Sequence, residues 1–222
     1  MKIWHISDTH REHSFLEIPE CDMVIHSGDA TNPRDSIKSL IEMREFVEWF
    51  SSLDIKYKIF VAGNHDVCVE RRLILPSEMD FIYLENTTIE IEGIRIFGSP
   101  YTPSFGNGWA FNKSKSSLSS FWNSIIPDDT DILVTHGPPK GILDLAYKDS
   151  NNIENCGDKA LLNRIKEINP ILSLFGHIHN NGENINQGVR TIAGYDTVFS
   201  NGSVVEDGKF GRLSSNGNIL EI

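Results

Sequence analysis

Five short apolar runs, each breaking off abruptly into a cluster of His, Asp, Asn and Gly, constrain this chain more than any other feature. The runs are Lys2–Ser7, Asp22–Ser27, Tyr57–Ala62, Asp131–Thr135 and Ile171–Phe175. They are rich in Ile, Val, Leu and Phe, and short enough for strands buried on both faces. The clusters that close them are, in order, Asp8-Thr9-His10, Gly28-Asp29, Gly63-Asn64-His65-Asp66, His136-Gly137 and Gly176-His177-Ile178-His179. In open α/β sheets ligands bind beyond the carboxyl ends of strands. If these strands are neighbours running the same way, all five clusters meet in one place.

Taken singly, each cluster has an ordinary explanation. Asp-x-His and Gly-Asp are common turns. Asn64-His65-Asp66 suits a loop held by side-chain hydrogen bonds to its own backbone. His136 before Gly137-Pro138-Pro139 suits a rigid turn, and His177-x-His179 is the most specific fragment, though metal binding and an ordinary loop are equally open for it alone. Five such clusters in order, gathering five of the chain's eight histidines, leave independent explanations implausible. Mixed carboxylate, imidazole and amide-oxygen donors suit Mn²⁺, Fe or Zn²⁺ better than Mg²⁺ or Ca²⁺. Seven donors are too many for one ion with open positions, whereas a shared carboxylate lets two ions sit about 3.5–4 Å apart.

The remaining histidines read differently. His5 and His26 lie inside apolar runs and suit core positions or the support of a neighbouring ligand. His13 reads as a loop histidine.

Elsewhere the pattern predicts a helix from Pro33 to Leu53, with Asn32 as N-cap and Pro33 in the first turn. Its apolar face comprises Ile37, Leu40, Ile41, Val47 and Phe50, widened by Phe46, Trp49 and Leu53. A second helix is expected over 158–168, burying Leu161, Ile165 and Ile168, and a third over 115–124. Thr88–Glu92 and Ile94–Gly98, joined at Gly93, read as a hairpin. The tail from Thr191 reads as short strands and turns. Strands alternating with helices, then hairpins, predict a mixed α/β sandwich. With no linker or repeat, residues 1–222 are expected to form one domain.

Composition bounds the function. A formal net charge of −11 argues against a general nucleic-acid-binding surface. It does not oppose a small phosphate substrate, because bound cations invert the local field. No apolar run nears the roughly 20 residues needed to span a bilayer, so no membrane association is expected. The N-terminus turns polar too early for a secretory leader. Cys21, Cys68 and Cys156 form no CxxC pair and suggest a reduced, cytoplasmic protein. Oligomeric state is not legible.

With these residues in hand, the chain resembles the calcineurin-like metallophosphoesterase superfamily. Its pattern of Asp-x-His, Gly-Asp, Gly-Asn-His followed by Asp or Glu, Gly-His and Gly-His-x-His is matched from Asp8 to His179. The fourth cluster here reads Thr135-His136-Gly137, as in many members. A closer likeness is to the metallophosphoesterase-domain-containing group, which looks related to class III cyclic-nucleotide phosphodiesterases. That likeness rests on Asp8-Thr9-His10, His26-Ser27-Gly28-Asp29, Ala62-Gly63-Asn64-His65, Asn107-Gly108-Trp109-Ala110-Phe111-Asn112 and Thr135-His136-Gly137-Pro138-Pro139. Some animal members of that group have glycine where this chain has His177.

The resemblance implies a four-layer α/β/β/α sandwich of two mixed sheets with two divalent ions at strand ends, Mn²⁺ foremost and Fe or Zn²⁺ as alternatives. It assigns Asp8, His10 and His179 to one ion, and Asn64, His136 and His177 to the other, with Asp29 bridging. The expected reaction is hydrolysis of a small phosphodiester, a cyclic nucleotide being one candidate. Hydroxide generated between the metals attacks phosphorus, His65 acts as general acid, and Asp66 orients the His65 ring. Trp109 and Phe111, with Phe105, either form an aromatic wall for a nucleobase or pin a long loop to the body. Two alternatives stay open: a phosphomonoesterase, or a non-catalytic nucleotide-binding scaffold. A protein Ser/Thr phosphatase fits poorly, because Arg34 is displaced from the position its Gly-Asp motif would require. The acidity also disfavours a DNA nuclease.

Overall fold

In chain order the strands are β1 (Lys2–Ile6), β2 (Met23–His26), β3 (Tyr57–Phe60), β4 (Ile82–Tyr83), β5 (Thr87–Ile91), β6 (Ile94–Ser99), β7 (Thr102–Pro103), β8 (Asn112–Lys113), β9 (Ile132–Thr135), β10 (Leu145–Asp149), β11 (Asn152–Asn155), β12 (Leu172–Phe175), β13 (Gly188–Thr191), β14 (Val198–Asn201) and β15 (Asn218–Glu221). The helices are α1 (Ser36–Ser52), α2 (Val67–Glu70), α3 (Lys115–Ile125) and α4 (Lys159–Ile168). The structure is a computed structural model and describes residues 1–149, 152–207 and 212–222.

Each of the five apolar runs is a strand, its ends within two residues of those expected. They fall into two mixed sheets, ordered β15-β1-β2-β3-β4 and β13-β14-β12-β9-β6-β5. β1 to β4 run parallel to one another, as do β6, β9, β12 and β14. The antiparallel neighbours β15, β13 and β5 lie at sheet edges.

Strand alternation builds the layers. Ile3, Met23, Ile25 and Ile59 of the first sheet meet Ile96, Ile132, Val134, Leu172 and Leu174 of the second in a core between the sheets. The opposite side of the first sheet sends Trp4, Val24 and Phe60 against Phe46 and Phe50 of α1. The outer side of the second sends Phe97, Leu133, Phe175 and Phe199 against Leu118 and Trp122 of α3 and Leu161 and Ile165 of α4. The result is helix, sheet, sheet, helix, as the resemblance implied.

At the carboxyl ends of their strands the sheets are stitched together. Ser7 N–H donates to the Gly202 carbonyl, and Val204 N–H donates back to Ser7. His5, fully buried, lies 2.8 Å from Ser200 Oγ and 3.0 Å from Ser27 Oγ, so one imidazole links β1, β14 and the turn after β2. Its supporting role matches the sequence reading.

Three local expectations need correction. Helix α1 begins at Ser36, and its N-cap is Asp35, whose carboxylate accepts from Ile37 and Lys38 N–H. Asn32 faces the strand-end loops instead, its side-chain amide donating to the His10 carbonyl. The buried face of α1 is Ser39, Met43, Phe46 and Phe50, leaving Ile37 and Ile41 58% and 57% exposed. His13 is buried within the one-turn 3-10 helix Glu12–Phe15 rather than lying in a loop. The hairpin of β5 and β6 turns at Glu92-Gly93, both with positive φ, which is the two-residue geometry matched to strand twist. Among the described residues no helix is long and apolar enough to cross a membrane.

Candidate metal centre and active site

The parallel strand ends deliver their clusters to one spot. Asp8 and His10 follow β1, Asp29 follows β2, Asn64 and His65 follow β3, His136 follows β9, and His177 and His179 follow β12. The turns that do this are unusually tight. Asp8, His10, Asp29 and His177 all adopt positive φ, between 42° and 69°. Non-glycine residues in that region store strain that surrounding packing must hold, and such strain gathers at functional sites. Two glycines make the approach possible. A Cβ on Gly63 would overlap Asp29, and one on Gly176 would overlap Ser7 Oγ and Asp8 Oδ2.

Three groups of potential donors result: Asp8, His10 and His179; His10, Asp29 and His65; and Asp29, His136 and His177. Asp29 is shared by the last two, its Oδ2 lying 3.4 Å from His136 Nε2, 3.9 Å from His65 Nε2 and 4.0 Å from His10 Nε2. Its other oxygen accepts the His65 backbone N–H at 2.7 Å, which fixes the carboxylate. Asp8 is held alike: Oδ2 accepts from His177 N–H and Ser203 Oγ–H, while Oδ1 faces His179 Nε2 at 3.0 Å. Asn64 Oδ1 sits 2.9 Å from His136 Nε2.

The backs of the rings are tied. His10 Nδ1 lies 3.0 Å from the Thr31 carbonyl, and His136 Nδ1 lies 2.9 Å from the Ser27 carbonyl. His179 Nδ1 lies 3.3 Å from Asp207 Oδ1. An Nδ1–H donated outward leaves the Nε2 lone pair pointing inward. Nitrogen lone pairs, carboxylate oxygens and an amide oxygen then face one another, an arrangement only protons or cations can reconcile.

The electrostatics say the same. Burial would push the Asp8 carboxyl up, but His179, His136 and His10 together hold it well below the usual carboxylate range. Burial likewise opposes ionisation of Asp29, and His136 and His65 overcome it. Burial lowers the His136 and His179 imidazoles, yet neighbouring carboxylates outweigh it and raise them to about 9 and about 10. His10 and His177 are pushed down to about 4 and about 3, by burial first. Two fixed anions thus demand positive charge at this spot, and the donor set fits two divalent ions.

The calcineurin-like phosphoesterase model matches residues 1–181 of the sequence. This chain belongs to the calcineurin-like phosphoesterase family. Within that family it is similar to human metallophosphoesterase domain-containing protein 1, at 33% identity over 90% of this chain and 64% of the relative. It therefore spans somewhat under two thirds of that relative's length. It is also 36% identical to a protein named probable rhamnogalacturonate lyase C from Emericella nidulans, over 78% of this chain but 16% of that one. Among solved structures, the protein TT1561 of Thermus thermophilus shares the fold at a TM-score of 0.55 and 13% identity, covering 90% of this chain and 88% of that one. The family generally binds a dinuclear metal centre, in keeping with the His/Asp groups here.

The surroundings of the centre depart from expectation in two ways. Asp66 does not touch the His65 ring. Fully buried, it accepts the backbone N–H groups of Asp29, Gly63 and Thr31, and the Thr31 hydroxyl. Burial, then the Asp29 charge, raises its carboxyl to about 6. Asp66 is thus the knot tying the Asp29 turn to the Gly63-Asn64 turn. The partner of the His65 ring is the Asn32 carbonyl, against Nδ1. Phe111, offered as a possible substrate contact, is 1% exposed and packs edge-on to Tyr101 in the core.

Trp109 does reach the site, its ring 4.5 Å from His65, with the Arg34 guanidinium stacked 3.7 Å above it. Phe105 stands beside His177 at 5.1 Å. The loop carrying them is fastened by β7 pairing with β8 and by Ala110 N–H donating to the Asn64 carbonyl. Asp207, Ser203 and Thr31 had no role in the sequence reading, and Arg34 entered it only as an argument against a protein phosphatase. Each lies outside the motif clusters, and no local spacing marks it.

Proposed function

We propose that this chain is a dinuclear-metal phosphodiesterase acting on small diesters, cyclic nucleotides among them, with His65 as general acid. The observation that carries this reading is Asp29 Oδ2 facing three imidazole Nε2 atoms within 4.0 Å while its other oxygen is locked to the backbone. Asp8, His10 and His179 would hold one ion, Asn64, His136 and His177 the other, and Asp29 would serve both. Bound there, divalent ions lower the pKa of water to supply the nucleophile and neutralise charge on the phosphoryl oxygens.

The protein's own part in the chemistry falls to His65. Its Nδ1–H donates to the Asn32 carbonyl, so Nε2 turns toward the centre. Its side chain is 22% exposed, against 0–11% for His10, His136 and His179, which leaves that nitrogen room to meet a substrate. A proton on Nε2 can pass to the leaving oxygen as the P–O bond breaks. Trp109 and Phe105 flank the approach and suit a flat ring on the leaving or ester group.

The direct test is Mn²⁺-dependent hydrolysis of bis-p-nitrophenyl phosphate beside p-nitrophenyl phosphate, with and without chelator. Chelator-sensitive turnover favouring the diester is expected. Preference for the monoester would replace the diesterase reading with a phosphatase. No turnover of either substrate by metal-loaded protein would overturn the reading in favour of a binding scaffold.

A further inference from the structure

The chain is strongly acidic, with 20 Lys and Arg against 31 Asp and Glu. Several surface cations are committed to carboxylates: Arg11 to Glu42 and Glu45, Lys56 to Glu92 and Arg72 to Glu85. Lys115, in the first turn of α3, and Lys140, beyond β9, are not. Among the described residues neither ammonium donates a hydrogen bond or joins an ion pair. Both line one cleft of about 400 Å³ whose wall also includes the metal-centre residue His177. That volume lies within the roughly 300–1,000 Å³ typical of small-molecule sites.

The cleft has a mixed chemistry. Next to His177 the ring of Phe105 and the flanks of Pro103 and Pro138 make an apolar stretch. The two lysines share the lining with this stretch. Glu154, the carboxylate lining the cleft among the described residues, is already partnered. The same lysines border an adjoining recess of about 260 Å³ over the start of α4, where Lys159 adds a third uncommitted ammonium. Asp158, which also lines that recess, is occupied, its oxygens accepting from Trp122 Nε1–H and Ala160 N–H.

We propose that this cleft is a second-anion subsite, and that the favoured substrates are phosphoesters carrying a further phosphate, which sits between Lys115 and Lys140. The inference rests on the phosphoesterase reading of the metal centre and deepens it. A protein of net charge −11 repels polyanions at long range. Selecting a doubly charged substrate therefore needs local cations left unpaired, as these are. Lysine serves as a flexible point charge toward phosphate, and charge-assisted bonds are about twice as strong as neutral ones. An uncharged sugar or ring spanning the apolar stretch would connect the two phosphates.

The test is calorimetric binding of thymidine 3′,5′-bisphosphate and thymidine 5′-monophosphate to Mn²⁺-loaded protein. Wild type, Lys115→Ala/Lys140→Ala and a control of equal charge loss, Lys2→Ala/Lys166→Ala, would be compared. Lys115, Lys140 and Lys166 are exposed and Lys2 is half-buried, and thermal unfolding of each variant would check that the fold is kept. The wild type and the control are expected to bind the bisphosphate about ten-fold more tightly, with the gap closing in the cleft variant. Equal affinities in the wild type, a gap that survives in the cleft variant, or one that closes equally in the control would each overturn the proposal. Chelator-sensitive hydrolysis of bis-p-nitrophenyl phosphate by the same samples reports separately on the centre. Turnover without bisphosphate preference sinks the subsite alone, whereas preference without turnover sinks the diesterase alone.

Discussion

At the scale of single residues, His65 and Asp66 are neighbours in sequence with opposite duties. The His65 ring faces the centre, whereas the Asp66 carboxylate faces three backbone N–H groups from two turns. His65→Ala should keep its metal and its melting temperature while losing about 10²–10⁴-fold in kcat on a diester with a poor leaving group. Asp66→Asn should do the reverse. It removes one of the acceptors serving buried donors, at about 1–3 kcal/mol for each one left unsatisfied. Metal affinity and melting temperature should both fall, read by calorimetry and thermal unfolding. If Asp66→Asn instead shifted only the acid limb of the pH–rate profile, Asp66 would be acting through the His65 ring after all. The ligand-type residues were legible because strand ends put them in order along the chain. The duty of Asp66 was not, because beside its near neighbour Gly63 it holds Asp29 and Thr31, over thirty residues away in sequence.

At the scale of elements, the strands were legible and the first helix was only partly so. Asn32-Pro33 and Asp35-Ser36 are both sound helix starts, and the choice between them is made in three dimensions. The Asn32 side chain reaches the His10 carbonyl and its own carbonyl takes the His65 ring, so it is unavailable as a cap. The apolar pattern misled for a related reason. The first inward position of α1 is Ser39, a polar residue whose hydroxyl meets Thr31 Oγ1, the His65 carbonyl and Cys68 N–H beneath the site. A helix abutting an active site turns a polar residue inward, and Ile37 and Ile41 are left outside. Asp35→Ala should cost about 1 kcal/mol, which lowers the melting temperature by roughly 2–4 °C for a chain of this size. Asp35→Ser should restore most of it. An unchanged melting temperature in Asp35→Ala would move the cap back to Asn32. The antiparallel pair β10 and β11 was hidden among polar residues, whereas β14 lies in the tail read as short strands and turns, and it holds Ser200 against His5 at the seam between the sheets.

At the scale of the whole molecule, stability, protonation and metal are one linked system. His136 and His179, raised to about 9 and about 10, would carry protons at neutral pH if no divalent ion were bound. Because their folded values lie above the unfolded value of about 6.5, they contribute stability fully below that pH and lose it as pH rises through 9 and 10. His5 and His26, both pushed down to about 3 by burial, act in the opposite direction. Their stability is present above about 6.5 and is lost as pH falls toward 3. Chelated protein should therefore be most stable near neutrality and weaken on both sides.

Divalent ions should act most directly on the alkaline limb, while protonation of the ligands weakens their hold as pH falls. They take the place of the two imidazole protons, so binding at pH 7 should release about two protons, and affinity should rise with pH until those groups deprotonate unaided. At a hundred-fold excess over Kd the ion should add about 2.7 kcal/mol, or roughly 5–10 °C for a domain of this size. Mn²⁺ titration in two buffers of different ionisation enthalpy would count the protons, and melting curves from pH 5 to 10 with metal or chelator would show the limbs. If metal flattened the alkaline limb and binding released protons at pH 7, His136 and His179 would be confirmed as groups the ions displace. Binding without proton release would mean that those imidazoles are neutral beforehand, and that the charge on Asp8 and Asp29 is balanced by something other than the rings.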